Sequence, residues 1–132
     1  MKMVKIVGHY KLDKNENFAE YLEALGSPEE MIKKVTAPGA TIEIVQEGNK
    51  YTFKSNSQVD VVLVIDEEVE EVLPTGVPIK NLAVREGANK IVVNSTAPDN
   101  RRRTRVYEFC DKGYVVTLTV GDLVAKRFFL RV

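Results

Sequence analysis

The sequence predicts an all-β protein, either a sandwich or a barrel, with two short helices near its N terminus. About ten β-rich segments follow one another at intervals of roughly 8–12 residues, which is the rhythm of sandwiches and barrels. Two short segments with apolar residues at helical spacing interrupt this rhythm after the first strand. With 132 residues the chain has enough length for one domain with one core or one cavity, so we expect residues 1–132 to form a single domain.

The composition excludes several classes of protein. The 19 basic and 19 acidic side chains balance, so no global field favours nucleic acid or an anionic membrane. The single cysteine, Cys110, excludes an internal disulfide and agrees with a reducing compartment. The first residues contain no apolar run long enough for a signal peptide, and no stretch approaches the roughly 20 apolar residues that span a bilayer. We therefore expect a cytoplasmic protein.

The first strand and the first helix are predicted within the opening residues. Val4–Leu12 is rich in β-forming side chains and predicts the strand. The polar run that follows contains Asn15, which we expect to cap the N terminus of a helix. Apolar residues at i, i+3, i+4 and i+7 predict that helix over about 16–25, ending at Gly26. The apolar stripe consists of Phe18, Tyr21, Leu22 and Leu25.

A second short helix is predicted over about 28–36. Ser27-Pro28-Glu29-Glu30 has the form of a capping box with proline at the first helical position. Met31, Ile32 and Val35 supply its apolar residues, and Pro38-Gly39 ends it. Helices this short are not stable alone in water, so both must pack on the sheet.

The middle of the chain alternates between β-rich segments and turns that are marked by Gly, Pro, Asn and Ser. An acidic stretch at 66–71, with valines interspersed, interrupts the series. The other predicted strands in this part of the chain are residues 40–46, 51–54, 59–65, 79–85 and 90–94, the last two as a hairpin.

The end of the chain, residues 103–132, predicts three consecutive antiparallel strands. Asp111-Lys112-Gly113 indicates a tight hairpin turn, and Gly121-Asp122 separates the second strand from the third. Side chains alternate between the two faces of a strand, which groups certain residues on one face of each strand. The groups are Arg103, Arg105, Tyr107 and Phe109; Tyr114, Val116, Leu118 and Val120; and Arg127, Phe129 and Arg131. Faces that mix arginine with aromatic and aliphatic residues suit a cavity for a partly apolar, partly anionic molecule better than a dry core.

Two motifs at opposite ends of the chain carry a resemblance to a known family. They are residues 8–26, G-H-Y-K-L-D-K-N-E-N-F-A-E-Y-L-E-A-L-G, and residues 111–129, D-K-G-Y-V-V-T-L-T-V-G-D-L-V-A-K-R-F-F. The first resembles the opening, G-x-W-K-L-x-x-S-x-N-F-D-x-Y-x-K-x-L-G, and the second the last hairpin, D-G-K-L-x-x-T-x-T-x-x-D-x-V-x-x-R-x-Y, of the intracellular lipid-binding proteins, which include the fatty-acid-binding and cellular retinoid-binding proteins. The resemblance implies a ten-stranded antiparallel flattened β-barrel of the lipocalin-like (calycin) type, with a helical lid at about 16–36 between the first two strands.

The resemblance also implies where a ligand's acidic head would bind. Arg127 and Phe129 occupy the positions of the family's R-x-Y pair, which clamps a ligand carboxylate, and phenylalanine removes one hydroxyl donor. Arginine is a planar bidentate donor that stays charged when desolvated, so Arg127 is expected to bind a carboxylate directly or through water. The family's second internal arginine corresponds to Tyr107, and Arg105 lies two residues earlier on the same face. Either Arg105 faces the cavity beside Tyr107, or it belongs to a solvated basic run.

Other polar residues have simpler interpretations. We expect the run Arg101–Arg103 to be a solvated turn, His9 to be a structural or exposed side chain, and Cys110 to be a buried thiol. Lys33-Lys34 is a favourable charge pair near a helix C terminus, and the resemblance adds a steering role toward membranes or partners. No nucleophile motif, paired carboxylates, metal-ligand cluster or phosphate loop occurs, so we expect neither an enzyme nor a bound cofactor.

The sequence therefore predicts a monomeric carrier that holds one hydrophobic ligand with an acidic head, in the first place a long-chain fatty acid. Arg127, with Arg105 and Tyr107 in support, would meet the head, beside Phe129. Phe18, Tyr21, Val116 and Leu118 would line the tail. The alternatives are a carrier of another hydrophobic ligand, namely a retinoid, a bile acid or an acyl-CoA, and an interaction protein with a filled barrel and no ligand.

Overall fold

The computed structural model describes residues 6–37, 39–56, 60–72, 77–98 and 102–132. In these ranges the chain forms ten strands, with two helices between the first strand and the second. The elements are β1 (Gly8–Glu16), α1 (Phe18–Ala24), α2 (Glu29–Thr36), β2 (Thr41–Glu47), β3 (Lys50–Ser55), β4 (Val61–Val64), β5 (Glu68–Val72), β6 (Pro78–Arg85), β7 (Lys90–Thr96), β8 (Arg102–Cys110), β9 (Gly113–Val120) and β10 (Leu123–Arg131).

The ten strands form one antiparallel sheet that curls into a nearly closed barrel. The strand order is β4-β3-β2-β1-β10-β9-β8-β7-β6-β5, so β1 pairs with β10 and the first and last strands lie side by side. The two ends of the sheet approach each other where Ile65, which follows β4, bridges Ala83 on β6, the second strand from the opposite edge. Near-closure leaves few unpaired strand edges. The predicted fold class, an antiparallel ten-stranded barrel with a helix pair, is confirmed.

The inward faces of the strands supply the core, as the period-2 pattern predicts. Along β9, Tyr114, Val116, Leu118 and Val120 are buried, while the residues between them are only half-buried. Aromatic residues concentrate at one side of this interior, where Tyr114 stacks on Phe129 with ring centroids 4.7 Å apart. The ring planes differ by only 12°, which is a stacked arrangement.

The two final hairpins turn where the sequence predicts, through two residues each, at 111–112 and 121–122, and Gly113 of the predicted first turn already belongs to β9. Gly113, directly after the first turn, permits a close backbone approach. A Cβ atom there would lie 1.9 Å from the Phe129 carbonyl oxygen. Gly121 has a left-handed φ of 57° but open space around its Cα. The first glycine is therefore required by packing and the second only by backbone conformation.

The helix pair packs across one end of the barrel. Gly26, with φ of 80°, ends α1, and the backbone N–H of Gly26 donates to the Glu23 oxygen at 2.9 Å. The N–H of Ser27 donates to the Leu22 oxygen at 3.0 Å, which completes a Schellman C-cap. Phe18 and Tyr21 of α1 are buried. Among the described residues, no helix is both long enough and apolar enough to cross a bilayer.

Two predicted caps are wrong. Asn15 lies inside β1 opposite Arg127, because pairing with β10 continues to Glu16 past a bulge between Leu12 and Lys14. The polar run thus marks an exposed strand rather than a strand end, and Asn17 precedes the helix without a side-chain cap.

The predicted capping box is also not formed. The N-cap of α2 is Pro28, without a side-chain hydrogen bond, because Ser27 already closes α1. Val4, Pro38 and Val59, which were assigned to predicted elements or their ends, lie outside the described residues.

The two hairpin glycines predict different costs of substitution. Gly113→Ala is expected to lower the free energy of unfolding by about 3 kcal/mol or more, because backbone must move away from the new methyl group. Gly121→Ala should cost only about 1 kcal/mol, the penalty of a left-handed alanine. Chemical denaturation of both variants provides the measurement, and equal losses would contradict the packing role of Gly113.

Candidate functional site

The barrel and the helix pair enclose a cavity of about 450 Å³. This volume lies within the usual range for sites that hold small molecules. Its wall is largely apolar and includes Leu22, Leu25, Met31 and Phe53. All eight residues that the sequence singles out for ligand contact line it, namely Phe18, Tyr21, Arg105, Tyr107, Val116, Leu118, Arg127 and Phe129.

Arg127 is a buried guanidinium whose partners are all neutral. The residue is only 6% exposed. Its Nε donates to the Asn15 Oδ1 at 3.0 Å, and its Nη2 donates to the Val35 backbone oxygen at 2.9 Å. The guanidinium carbon lies 4.1 Å from the centroid of the Phe18 ring, a cation–π contact. Among the described residues no carboxylate lies within ion-pair distance of it, so its charge is not compensated.

The electrostatics of Arg127 follow from this arrangement. Burial lowers the pKa of the Arg127 guanidinium to about 10, although Tyr114 and Tyr107 act in the opposite direction. The group therefore remains charged at neutral pH. Phe129 lies beside it, with the guanidinium carbon 5.1 Å from the ring centroid. The aromatic surroundings hold Arg127 in place without supplying a negative charge.

Arg105 also faces the cavity but has an acidic partner. Its Nη2 lies 3.7 Å from the Glu71 Oε1, and its Nη1 donates to the Tyr107 hydroxyl at 3.5 Å. Burial alone would lower the pKa of Arg105, but Tyr107, Glu71 and Tyr21 outweigh it, and the pKa lies above its ordinary value. Of the two placements that the sequence left open, the structure has the inward one. The charge of Arg105 is largely balanced within the protein.

Glu71 belongs to the cavity wall and was not singled out from the sequence. Its Oε1 accepts a hydrogen bond from the Asn81 Nδ2 at 2.9 Å, and the Ser95 hydroxyl donates to the Asn81 Oδ1. The sequence shows only an acidic stretch there. The signal that identifies Glu71 is the period-2 burial of β5, which places it with Val69 on the half-buried face.

Arg103 corrects the prediction of a solvated basic run. It is 5% exposed and lines the cavity, whereas its neighbour Arg102 is exposed. Its Nε and Nη1 atoms are buried and have no hydrogen-bond partner in the described part of the chain. The reason is the alternation of β8, which turns Arg103 to the same side as Tyr107 and Phe109. Arg101 lies outside the described residues.

Two further predictions concern single side chains. Cys110 is exposed rather than buried, because it follows the inward-facing Phe109 at the end of β8 and so points outward. His9 is exposed, with its Nε2 3.7 Å from the Glu43 Oε2. Within the described ranges no group of three or more His, Cys, Asp or Glu side chains is placed to hold a metal ion.

Two tyrosines of the cavity wall, Tyr21 and Tyr114, have raised pKa values. Burial raises the pKa of Tyr21, and it raises the pKa of Tyr114 well above the ordinary value. Both phenols therefore keep their protons at neutral pH.

The charged residues of the described wall are three arginines, the partly buried Glu71 and the exposed Asp60. The cavity is thus apolar with an excess of buried positive charge, an arrangement that favours an amphipathic anion.

Comparisons with known proteins agree with this description. The fatty acid-binding protein of Tyrophagus putrescentiae is 31% identical over 132 residues, which cover 98% of this chain and 99% of that protein. A solved structure of a fatty acid-binding protein from brain tissue of Drosophila melanogaster superposes with a TM-score of 0.82 at 30% identity, covering 96% of this chain and 99% of the other. The bilirubin-inducible fluorescent protein UnaG of Anguilla japonica is 33% identical over 136 residues and 96% of each chain.

A scan against models of known protein families finds no match. The barrel, the helix pair and the cavity define a lipid-binding β-barrel, and the chain belongs to the intracellular lipid-binding protein family. Within that family its relatives include proteins named fatty acid-binding proteins.

Proposed function

We propose that the protein is a carrier that holds a long-chain fatty acid in the barrel, with the carboxylate at Arg127. The observation that carries the proposal is the buried guanidinium with only neutral partners among the described residues. Removing such a group from water costs several kcal/mol unless it is paired. A ligand carboxylate supplies the missing charge, and charge-assisted hydrogen bonds are the stronger kind.

The rest of the wall suits the remainder of such a ligand. Phe18, Tyr21, Val116 and Leu118 offer an apolar surface to the tail, where burial stabilises by about 25 cal/mol per Å². Arg105 and Tyr107 support the head group from β8, although Glu71 already engages Arg105. Phe129 packs beside Arg127 in place of a hydroxyl donor.

The two alternative interpretations, a filled barrel without a ligand and a carrier of another hydrophobic ligand, are less well supported. A filled barrel would leave few voids larger than a water molecule, and a cavity of about 450 Å³ is far larger. Bile acids, acyl-CoA and a retinoid that carries a carboxylate share the acidic and apolar character of a fatty acid. The names of the relatives favour the fatty acid.

Arg127 links the proposed head-group site to α2. The Val35 oxygen that accepts from Arg127 lies in the last turn of α2, where carbonyl groups lack a partner within the helix. A carboxylate that pairs with Arg127 would therefore interact with the same side chain that forms a hydrogen bond with α2.

We propose that the protein acts as a cytoplasmic monomer and that α2 makes transient contact with membranes.

Substitution of Arg127 tests the head-group assignment. Arg127→Gln is expected to weaken fatty-acid binding by at least about tenfold, because truncating one partner of a buried charge pair typically costs 2–5 kcal/mol. The loss should be much smaller for the methyl ester, which does not use the charge. Calorimetric titration of both ligands provides the measurement.

Arg102→Gln is the matched control, since it makes the same change on the outer face of the barrel. The ligand-free stability of Arg127→Gln should be unchanged or higher, because an uncompensated buried charge is removed. If Arg127→Gln binds the acid as tightly as the parent protein, the head group is held elsewhere.

Membrane contact through α2 has its own test. Lys33 and Lys34 are exposed, and Lys33 pairs with Glu29 at 3.5 Å, which leaves Lys34 as the simpler residue to change. Lys34→Glu should slow transfer of a fluorescent fatty acid to anionic vesicles and leave transfer to neutral vesicles unchanged. Lys112→Glu, with the same charge change in the β8–β9 turn, is the control. Equal slowing by both variants would contradict a role of the lid.

A further inference from the structure

Arg103 is a buried cation that a fatty acid held at Arg127 leaves unpaired. Its Nε and Nη1 have no hydrogen-bond partner in the ranges that the structure describes, and the residue is 5% exposed. A buried donor without a partner costs free energy, and a charged one costs more than a neutral one. Because the described residues supply no acceptor to these two atoms, a ligand in the cavity can supply one.

The neighbouring acid does not serve Arg103. Glu71 is the partly buried carboxylate of the described wall, and its Oε1 is already engaged by the Arg105 Nη2 and the Asn81 Nδ2. The other described acid of the wall, Asp60, is exposed. Three guanidiniums therefore face one internal carboxylate. Arg105 takes that carboxylate, while Arg103 and Arg127 are left for the ligand.

Arg103 and Arg127 occupy different positions along the cavity. Arg103, on β8, pairs with Val120 of β9, and Arg127, on β10, pairs with Val116 of β9. Their partners are four residues apart, so the two arginines are offset by about 14 Å along β9. Their surroundings also differ. Arg127 contacts Phe18 and Phe129, whereas Arg103 lies in the electrostatic environment of Tyr21.

The offset places Arg103 beside the end of β9, since Val120 is the last residue of that strand. Arg127 lies instead beside the helix pair, where it donates to the Val35 oxygen of α2 and contacts the Phe18 ring of α1. A ligand with its carboxylate at Arg127 can therefore extend its far end toward Arg103. If that end is a methyl group, the guanidinium at Arg103 stays unpaired.

We propose that Arg103 is a second anion-binding position and that the cavity accepts a long-chain amphiphile with an acidic group at each end, such as an α,ω-dicarboxylic acid. One carboxylate pairs with Arg127 and the other with Arg103. This inference rests on the proposed function, since it adds a second contact to a ligand already held at Arg127.

The test compares three ligands of equal chain length at neutral pH, where carboxyl groups are ionised. They are hexadecanedioic acid, its monomethyl ester and hexadecanoic acid. The diacid should bind the parent protein at least about tenfold more tightly than the monomethyl ester, since hydrogen bonds between charged groups are worth about this much. Calorimetry should give one diacid per protein.

The Arg103→Gln variant should bind the diacid no more tightly than it binds the monomethyl ester. It should change the affinity for hexadecanoic acid by less than about threefold, because that ligand does not reach Arg103 with a charge. Arg102→Gln, on the exposed face, should keep the parent protein's preference for the diacid over the monomethyl ester. Arg103→Met keeps the apolar stem and serves as a second variant, and its ligand-free melting temperature should be equal to or above that of the parent.

The proposal would be overturned if the parent protein bound the diacid and its monomethyl ester with equal affinity, or if both Arg103 variants kept the parent's preference for the diacid. Two molecules of hexadecanoic acid per protein would overturn it in favour of a second monoacid at Arg103. If Arg103→Gln and Arg127→Gln lost hexadecanoic acid binding equally, this would contradict the proposal and indicate that both arginines bind the same carboxylate. Failure of the parent protein to bind hexadecanoic acid at all would count against the proposed function itself, and is thereby distinguished from these results.

Discussion

Burial of the Arg127 guanidinium among neutral groups is the constraint on which the arrangement of the cavity depends. A charge in such a place is unfavourable unless something compensates it. The protein provides only the Asn15 amide, the Val35 carbonyl and aromatic faces within the described residues, and the pKa of the guanidinium falls to about 10. We propose that the ligand supplies the compensation. On this proposal an anionic ligand has an advantage over a neutral one.

The barrel makes this arrangement possible because pleated strands alternate their side chains between two faces. The inward faces of β8, β9 and β10 bring together arginines, tyrosines and aliphatic residues within one enclosed space. Arg105 differs from Arg127 because it has an acidic partner. Glu71 balances it from β5, and its pKa lies above the ordinary value instead of below it. The same residue type is thus paired with a carboxylate on β8 and, among the described residues, with neutral groups alone on β10.

The sequence predicted most of the fold and the inward direction of the side chains on the final strands, because period-2 alternation and turn residues are local signals. The inward positions of Tyr107, Val116 and Leu118 follow from counting along strands whose turns are marked by glycine. Arg103 was missed because three consecutive arginines are typical of a solvated turn, although its alternation with Tyr107 carries the correct signal. Glu71 was missed for a different reason: its partner Arg105 is distant in sequence, and only the folded barrel brings them together.

The pairing of a ligand carboxylate with Arg127 can be measured directly by ¹³C NMR of a fatty acid labelled at its carboxyl carbon. Burial alone raises the pKa of a carboxyl group, whereas an adjacent guanidinium lowers it. The pKa of the bound carboxyl group in the parent protein should therefore lie below about 4.3, the ordinary carboxyl value, and the bound ligand should stay ionised as the pH falls toward it. A pKa above that value in the parent complex would contradict the account.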